Sequence, residues 1–193
     1  MLAPPETTQA KYAPSPLVAY DLEQTRDIYF TQEIIDLAAS LDHDPVKIFE
    51  WVSNNIDYIP YYGSYKGSQY TLLERSGNDW DTCSLLMALY RASGIPCRYR
   101  RGIIRMQGDT VKNWIGVQDI DTAWSIFWES YVPVGPIWED TASTKLSGLL
   151  FEHVFVEACL PYGNYRGIMN DLSEQMWIPL DPSFKSYDYT EGN

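Results

Sequence analysis

An α+β fold, with a buried central helix packed on an antiparallel sheet, follows from three observations in this sequence of 193 residues. Helical patterns fill the first half and strand patterns the second, the order expected when helices are segregated from an antiparallel sheet. The segment Asn78 to Pro96 is punctuated as a helix at both ends. Its middle, with Leu85, Leu86, Met87, Leu89 and Tyr90, leaves little polar face, so that helix belongs in the core. The length suits one domain over residues 26–193, preceded by an extended arm or linker over residues 1–25. Hydrophobic residues, at 45%, suffice for a substantial core.

The arm is expected because residues 1–20 hold four of the twelve prolines and no apolar period. Thr31 is placed to cap a first helix whose apolar stripe is Ile34, Ile35, Leu37, Ala38 and Leu41. Asp44-Pro45 opens a second helix as cap and first helical residue, with Val46, Ile48, Phe49 and Val52 as its buried face. It ends near Asn54-Asn55. Ile56 to Tyr62 is extended and aromatic, Gly63 to Gly67 is a loop, and Thr71 to Arg75 is a short turn into the central helix. There Asn78 is the cap, Asp79 and Asp81 suit the positive end of the helix dipole, and Gly94 and Pro96 stop the helix.

Cys97 to Arg105 alternates as a strand, with Gly102 as a candidate bulge. Residues 107–150 read as an excursion containing a helix from Asp121 to Glu129 and a hairpin-like segment. Strand character returns at His153 to Cys159, a loop follows from Pro161 to Gly167, and a last strand runs from Gln175 to Leu180 into Asp181-Pro182.

The net charge of −12 argues against nucleic acid, whose phosphates require Lys and Arg. It permits cationic peptides or neutral glycans and equally describes a solvated surface. Three cysteines give no disulfide framework, and Cys83 and Cys97 sit in apolar patterns. No stretch reaches the length of a membrane span, and Met1-Leu-Ala-Pro-Pro-Glu6 has neither the basic nor the apolar part of a leader. The residue pattern calls for no cofactor and no metal.

Two histidines restrict any imidazole chemistry to two positions. His43, in an acidic connector, reads as solvated or as a local capping partner. His153 begins one strand and Asp181 ends the next, so antiparallel pairing brings them together, leaving one ring nitrogen for the central helix. A nucleophile, a His and an orienting carboxylate form the recurring acyl-transfer unit.

Three segments then resemble, in order, the motifs of the transglutaminase-like core: Gly77 to Arg98, Glu152-His-Val-Phe-Val-Glu-Ala158 and Trp177-Ile-Pro-Leu-Asp-Pro182. The approach from Asp44 to Gly67 and the loop Asn164-Tyr-Arg-Gly167 resemble bacterial members found in large surface and repeat-rich proteins. The resemblance spans roughly residues 30–190 and implies a papain-like α+β architecture with His153 and Asp181 in the family's His and Asp positions. It also implies a place within a larger protein, a cell-envelope or extracellular setting, and a peptide, protein or cell-surface glycan as partner.

The nucleophile departs from the family pattern. Counting twelve residues back from Arg91 to the usual Cys position reaches Asp79, and Cys83 falls one turn later. In one reading thiol chemistry is lost, and Asp79 either acts as a general base or pairs with His153 and raises its pKa. In a second, Cys83 is a relocated nucleophile, displaced by about 6 Å along the helix axis and moved away from the dipole that would activate it. In a third, Asp79 and Asp81 hold a cation such as calcium, although their spacing is not that of an EF-hand. Trp80 and Asn78, flanking Asp79, are candidate ligand-binding residues. Tyr58, Tyr61, Tyr62, Trp114, Trp124 and Trp128 line a peptide or sugar groove in one reading and pack the interior in another.

Overall fold

The computed structural model describes residues 18–142, 144–161 and 175–188. The helices are α1 (Gln32–Ser40), α2 (Pro45–Asn55), α3 (Gly67–Glu74), α4 (Asp79–Ala92), α5 (Gly108–Ile115) and α6 (Ile120–Glu129). The strands are β1 (Asp57–Tyr58), β2 (Ser76–Gly77), β3 (Cys97–Gln107), β4 (Val134–Trp138), β5 (Leu146–Pro161) and β6 (Gln175–Leu180). Thr31, Asp44 and Asn78 cap α1, α2 and α4 with their side-chain oxygens, each accepting from a backbone N–H of the first turn. Gly94 follows α4 at φ +75°, a conformation that glycine adopts without steric cost.

β1 and β2 form a short parallel pair beside α4. The main sheet is antiparallel, with β5 at its centre, β3 along one edge, and β4 and β6 sharing the other. β5 is long enough to serve both sides because successive side chains alternate between faces. Val154, Val156 and Ala158 join Ile34, Ile48, Leu85, Leu86 and Leu89 beneath α1, α2 and α4. Leu149 and Phe151, on the opposite face, pack with Val111, Trp114 and Phe127 of α5 and α6. A Cβ on Gly148 would lie 2.5 Å from the Met106 carbonyl oxygen, so this position in β5 admits no side chain.

β4 pairs with β5 only as far as Phe151, and β6 joins only from Val156. The four positions between have no strand partner on that edge. The N-terminus of α4 fills the opening with two side chains one turn apart. Asp79 Oδ2 accepts from Val154 N (2.8 Å), and the Cys83 thiol donates to Val154 O (3.5 Å). A carboxylate and a thiol thus take the places of a neighbouring strand's carbonyl and amide.

Several details differ from the sequence reading. The expected turn at Thr71 is part of the eight-residue α3, whose start has no side-chain cap. The excursion holds a second helix, α5, also uncapped by a side chain. Gly102 is no bulge: it pairs in register with His153, and the sheet irregularity falls at Ile137/Trp138. Ile35 and Val46 are exposed, because Ile34, Ala38, Ile48 and Val52 already fill the faces toward α4. Folded structure begins inside the stretch expected as an arm: Ala19–Asp21 forms a 3-10 turn, and Glu23 O accepts from the Arg91 guanidinium (2.5 Å). The loop from Pro161 to Gly167 lies, beyond Pro161, outside the described residues.

Candidate active site

Asp79, His153 and Asp181 converge at the opening in the sheet edge. His153 leaves β5 on the Phe151 side, Asp181 follows the last residue of β6, and Asp79 starts α4. His153 Nε2 lies 2.7 Å from Asp181 Oδ2, and Nδ1 lies 3.4 Å from Asp79 Oδ2. The imidazole is 2% exposed and Asp79 is 7% exposed. The Asp181 side chain is the most open of the three.

Each group is oriented by further partners. Asp181 Oδ1 accepts from Ser183 N (3.1 Å) and Ser183 Oγ (2.7 Å), an Asx-type turn that leaves Oδ2 for the histidine. Trp114 Nε1 donates to Ser183 O (3.0 Å), and the Trp114 ring meets His153 edge-on at 5.8 Å. The sequence reading named Trp114 only as a groove or interior aromatic, and it missed Ser183 and the bond between them. They lie far apart in the chain and no local pattern links them. Asp79 Oδ1 accepts from its neighbour's amide, Trp80 N (3.0 Å).

The electrostatics move all three groups away from their ordinary values. Burial opposes charge on His153, but the hydrogen bond and negative charge of Asp181, reinforced by Asp79, hold its pKa above the ordinary value. Burial also pushes Asp181 up, yet the bond to His153, its positive charge and the Ser183 donors bring it below the usual carboxylate range. For Asp79 burial wins. Its pKa is raised despite the charge of His153 and the amides of Val154 and Trp80.

Cys83 is fully buried, its thiol bonded to Val154 O, and burial pushes its pKa well above the ordinary thiol value. Such a thiol lacks the thiolate character that a nucleophile needs. Cys97 and Cys159 are buried as well. Asn78 is corrected as a ligand-binding residue, because its amide is wholly engaged inside the protein. Oδ1 accepts from Asp81 N, and Nδ2 donates to Tyr61 O and Gly63 O. Trp80 is half-buried with its ring against Tyr99 at 5.3 Å. His43 meets Ser93 Oγ at 3.0 Å, the local partnership expected of it.

Asp81 is corrected as a cation ligand. Its carboxylate accepts from Tyr61 Oη (2.5 Å), Ser64 Oγ (3.1 Å) and the amides of Tyr65, Lys66 and Gly67. These donors surround the oxygens that calcium would require. Among the described residues no group of three or more His, Cys, Asp or Glu is arranged to hold a metal. The aromatic set divides. Tyr58 and Trp114 pack on each other (4.4 Å) beside the site, whereas Tyr62 and Trp128 are exposed.

A helix N-terminus facing a histidine on one strand and a carboxylate after the next defines the papain-like class of α+β proteins. Residues 29–182 match the transglutaminase-like superfamily, and the chain belongs to that family. Among solved structures it resembles a protein provisionally described as a cysteine protease, from Cytophaga hutchinsonii, with 20% identity and a TM-score of 0.48 over 85% of this chain and 41% of that one. It also resembles the periplasmic domain of TgpA from Pseudomonas aeruginosa, bound to ethylmercury, with 18% identity and a TM-score of 0.44 over 84% of this chain and 46% of that one. The chain therefore spans less than half the length of either structure. A search of curated proteins finds no match.

Proposed function

We propose that this chain is a transglutaminase-like domain without thiol catalysis, a module that binds a peptide or cell-surface ligand, or supports a larger protein, through the cleft that its relatives use for chemistry. The observation that carries this reading is the occupation of Asp79. The side chain at the position that the family resemblance gives to the nucleophile is a carboxylate, and both its oxygens are engaged, Oδ2 on Val154 N and Oδ1 on Trp80 N. A carboxylate is a poor acyl acceptor, since its mixed anhydride is far less favourable than a thioester. The alternative thiol, Cys83, serves Val154 O instead of facing His153. The pair His153–Asp181 then orders the cleft floor.

The test is an assay for amine incorporation into glutamine peptides and for peptide cleavage, with and without iodoacetamide. Neither activity is expected, and Cys83 should stay unlabelled in the folded protein. Iodoacetamide-sensitive turnover with the label on Cys83 would overturn the reading in favour of a relocated nucleophile. One further reading rests on the raised pKa of Asp79 beside His153: a hydrolase in which Asp79 acts as base toward water. Turnover abolished in Asp79→Asn and retained in Cys83→Ala would establish it.

A further inference from the structure

Two hollows of about 540 and 550 Å³ lie beside the Asp79–His153–Asp181 site, and neither includes its residues. They share one wall, Tyr131. Trp128, Ile103 and Leu150 lie on one side of that ring, and Tyr62 and Tyr65 on the other. All six side chains are exposed, Tyr131 by 83% and Tyr65 by 81%. The two walls are tied together where Tyr62 N donates to Ser130 O (3.1 Å).

Tyr131 stands in a position that ordinarily belongs to glycine. After α6, Val132 N bonds to Phe127 O and Tyr131 N to Trp128 O, the two-bond closure of a helix C-terminus whose outer residue is left-handed. Tyr131 has φ +60° there. The same closure after α4 uses Gly94, and α5 ends with Gly116 at φ +77°. Arg75, also left-handed, packs its guanidinium over Trp51, whereas among the described residues no ring or cation stacks on Tyr131. Backbone strain and an exposed aromatic ring together point to an external contact.

We propose that this groove binds an uncharged, proline-rich peptide in the polyproline II conformation, with Tyr131 as the ridge between two pockets. Charge argues for a neutral occupant. The nearby cations are already paired, Lys66 with Glu74 (2.9 Å) and Arg101 with Glu152, and among the described residues no acidic side chain lines either hollow. A polyproline II chain repeats every three residues and has no internal hydrogen bonds, so it presents alternating rings to adjacent pockets and free carbonyls to the tyrosine and indole donors. Being preformed, it loses little entropy on docking to an aromatic-lined groove.

The test is titration of the protein, followed by tryptophan fluorescence, with an end-blocked oligoproline peptide, an end-blocked Gly-Ser peptide and a neutral oligosaccharide. Saturable binding of oligoproline alone is expected, unchanged by added salt. Trp128→Ala should weaken it by about tenfold. Tyr131→Gly should raise the melting temperature, because strain is relieved, and at the same time weaken binding by about tenfold. Binding of the saccharide but not the peptide, no binding at all, or a stabilised Tyr131→Gly protein with full affinity would each overturn the proposal. The groove excludes Asp79, so these outcomes are separate from any test of the cleft.

Discussion

Asp79 and Asp81 stand two positions apart in the first turn of α4, both buried, and their surroundings are opposites. Asp81 turns toward the loop before α3 and collects five donors: two hydroxyls and three successive amides. Asp79 turns toward the sheet and receives two amides and one imidazole. For Asp79 burial outweighs these donors, and its pKa rises. A buried carboxylate is therefore a scaffold or a tunable group according to how many donors the fold brings to it.

Substitutions can break this contrast. The largest effect is expected at Asp81. Asp81→Ala leaves the Tyr65, Lys66 and Gly67 amides without their acceptor and should cost about 4 kcal/mol in urea unfolding. Limited proteolysis should then cut within residues 61–67. At Asp79, Ala should cost about 2 kcal/mol, since Val154 N loses its partner, while Asn should stay within about 1 kcal/mol by keeping an acceptor and shedding a penalised charge. Equal losses for Asp79→Asn and Asp81→Asn would erase the distinction.

The smallest effect is a pH dependence. His153, held above its ordinary value of about 6.5, adds stability that is fully present below that value and is lost as pH rises through its raised pKa. Asp181, held below its ordinary value, adds stability present above that value and lost as pH falls through the lowered one. Lys185, which donates to Pro182 O and Ser53 O, is pushed down to about 8 by burial and has the sign opposite to His153, gaining stability as pH rises through that value. The wild-type minus His153→Gln difference in thermal unfolding removes the Lys185 contribution. It should decline above neutral pH, and a flat difference would show that His153 carries no raised pKa.

What could be read in the sequence was local or periodic. Thr31, Asp44 and Asn78 announced their helices because a cap bonds within three residues of itself. His153 and Asp181 could be placed together as facing ends of two adjacent antiparallel strands, although β5 begins at Leu146 and His153 lies within it. Helices α3 and α5 were obscured because each begins at a glycine with no capping side chain before it, so the start signal is absent. The partners of Asp81 lie fourteen to twenty residues away in a loop, and Trp114 reaches Ser183 across sixty-nine, distances that no pattern bridges. The exposure of Tyr131 was equally hidden, since a tyrosine in a glycine's position leaves no trace in hydrophobic periodicity.

The opening in the sheet between Phe151 and Val156 has a consequence for how the protein behaves in company. An unpaired stretch of strand in a Val-rich run is a template on which another molecule can add its own strand, the first step of aggregation. Here Asp79 and Cys83 occupy the Val154 amide and carbonyl, with the rest of α4 stacked behind them. Asp79 and Cys83 thus act as a guard on that edge, a duty that gives selection a reason to keep them whether or not any bond is ever cleaved there.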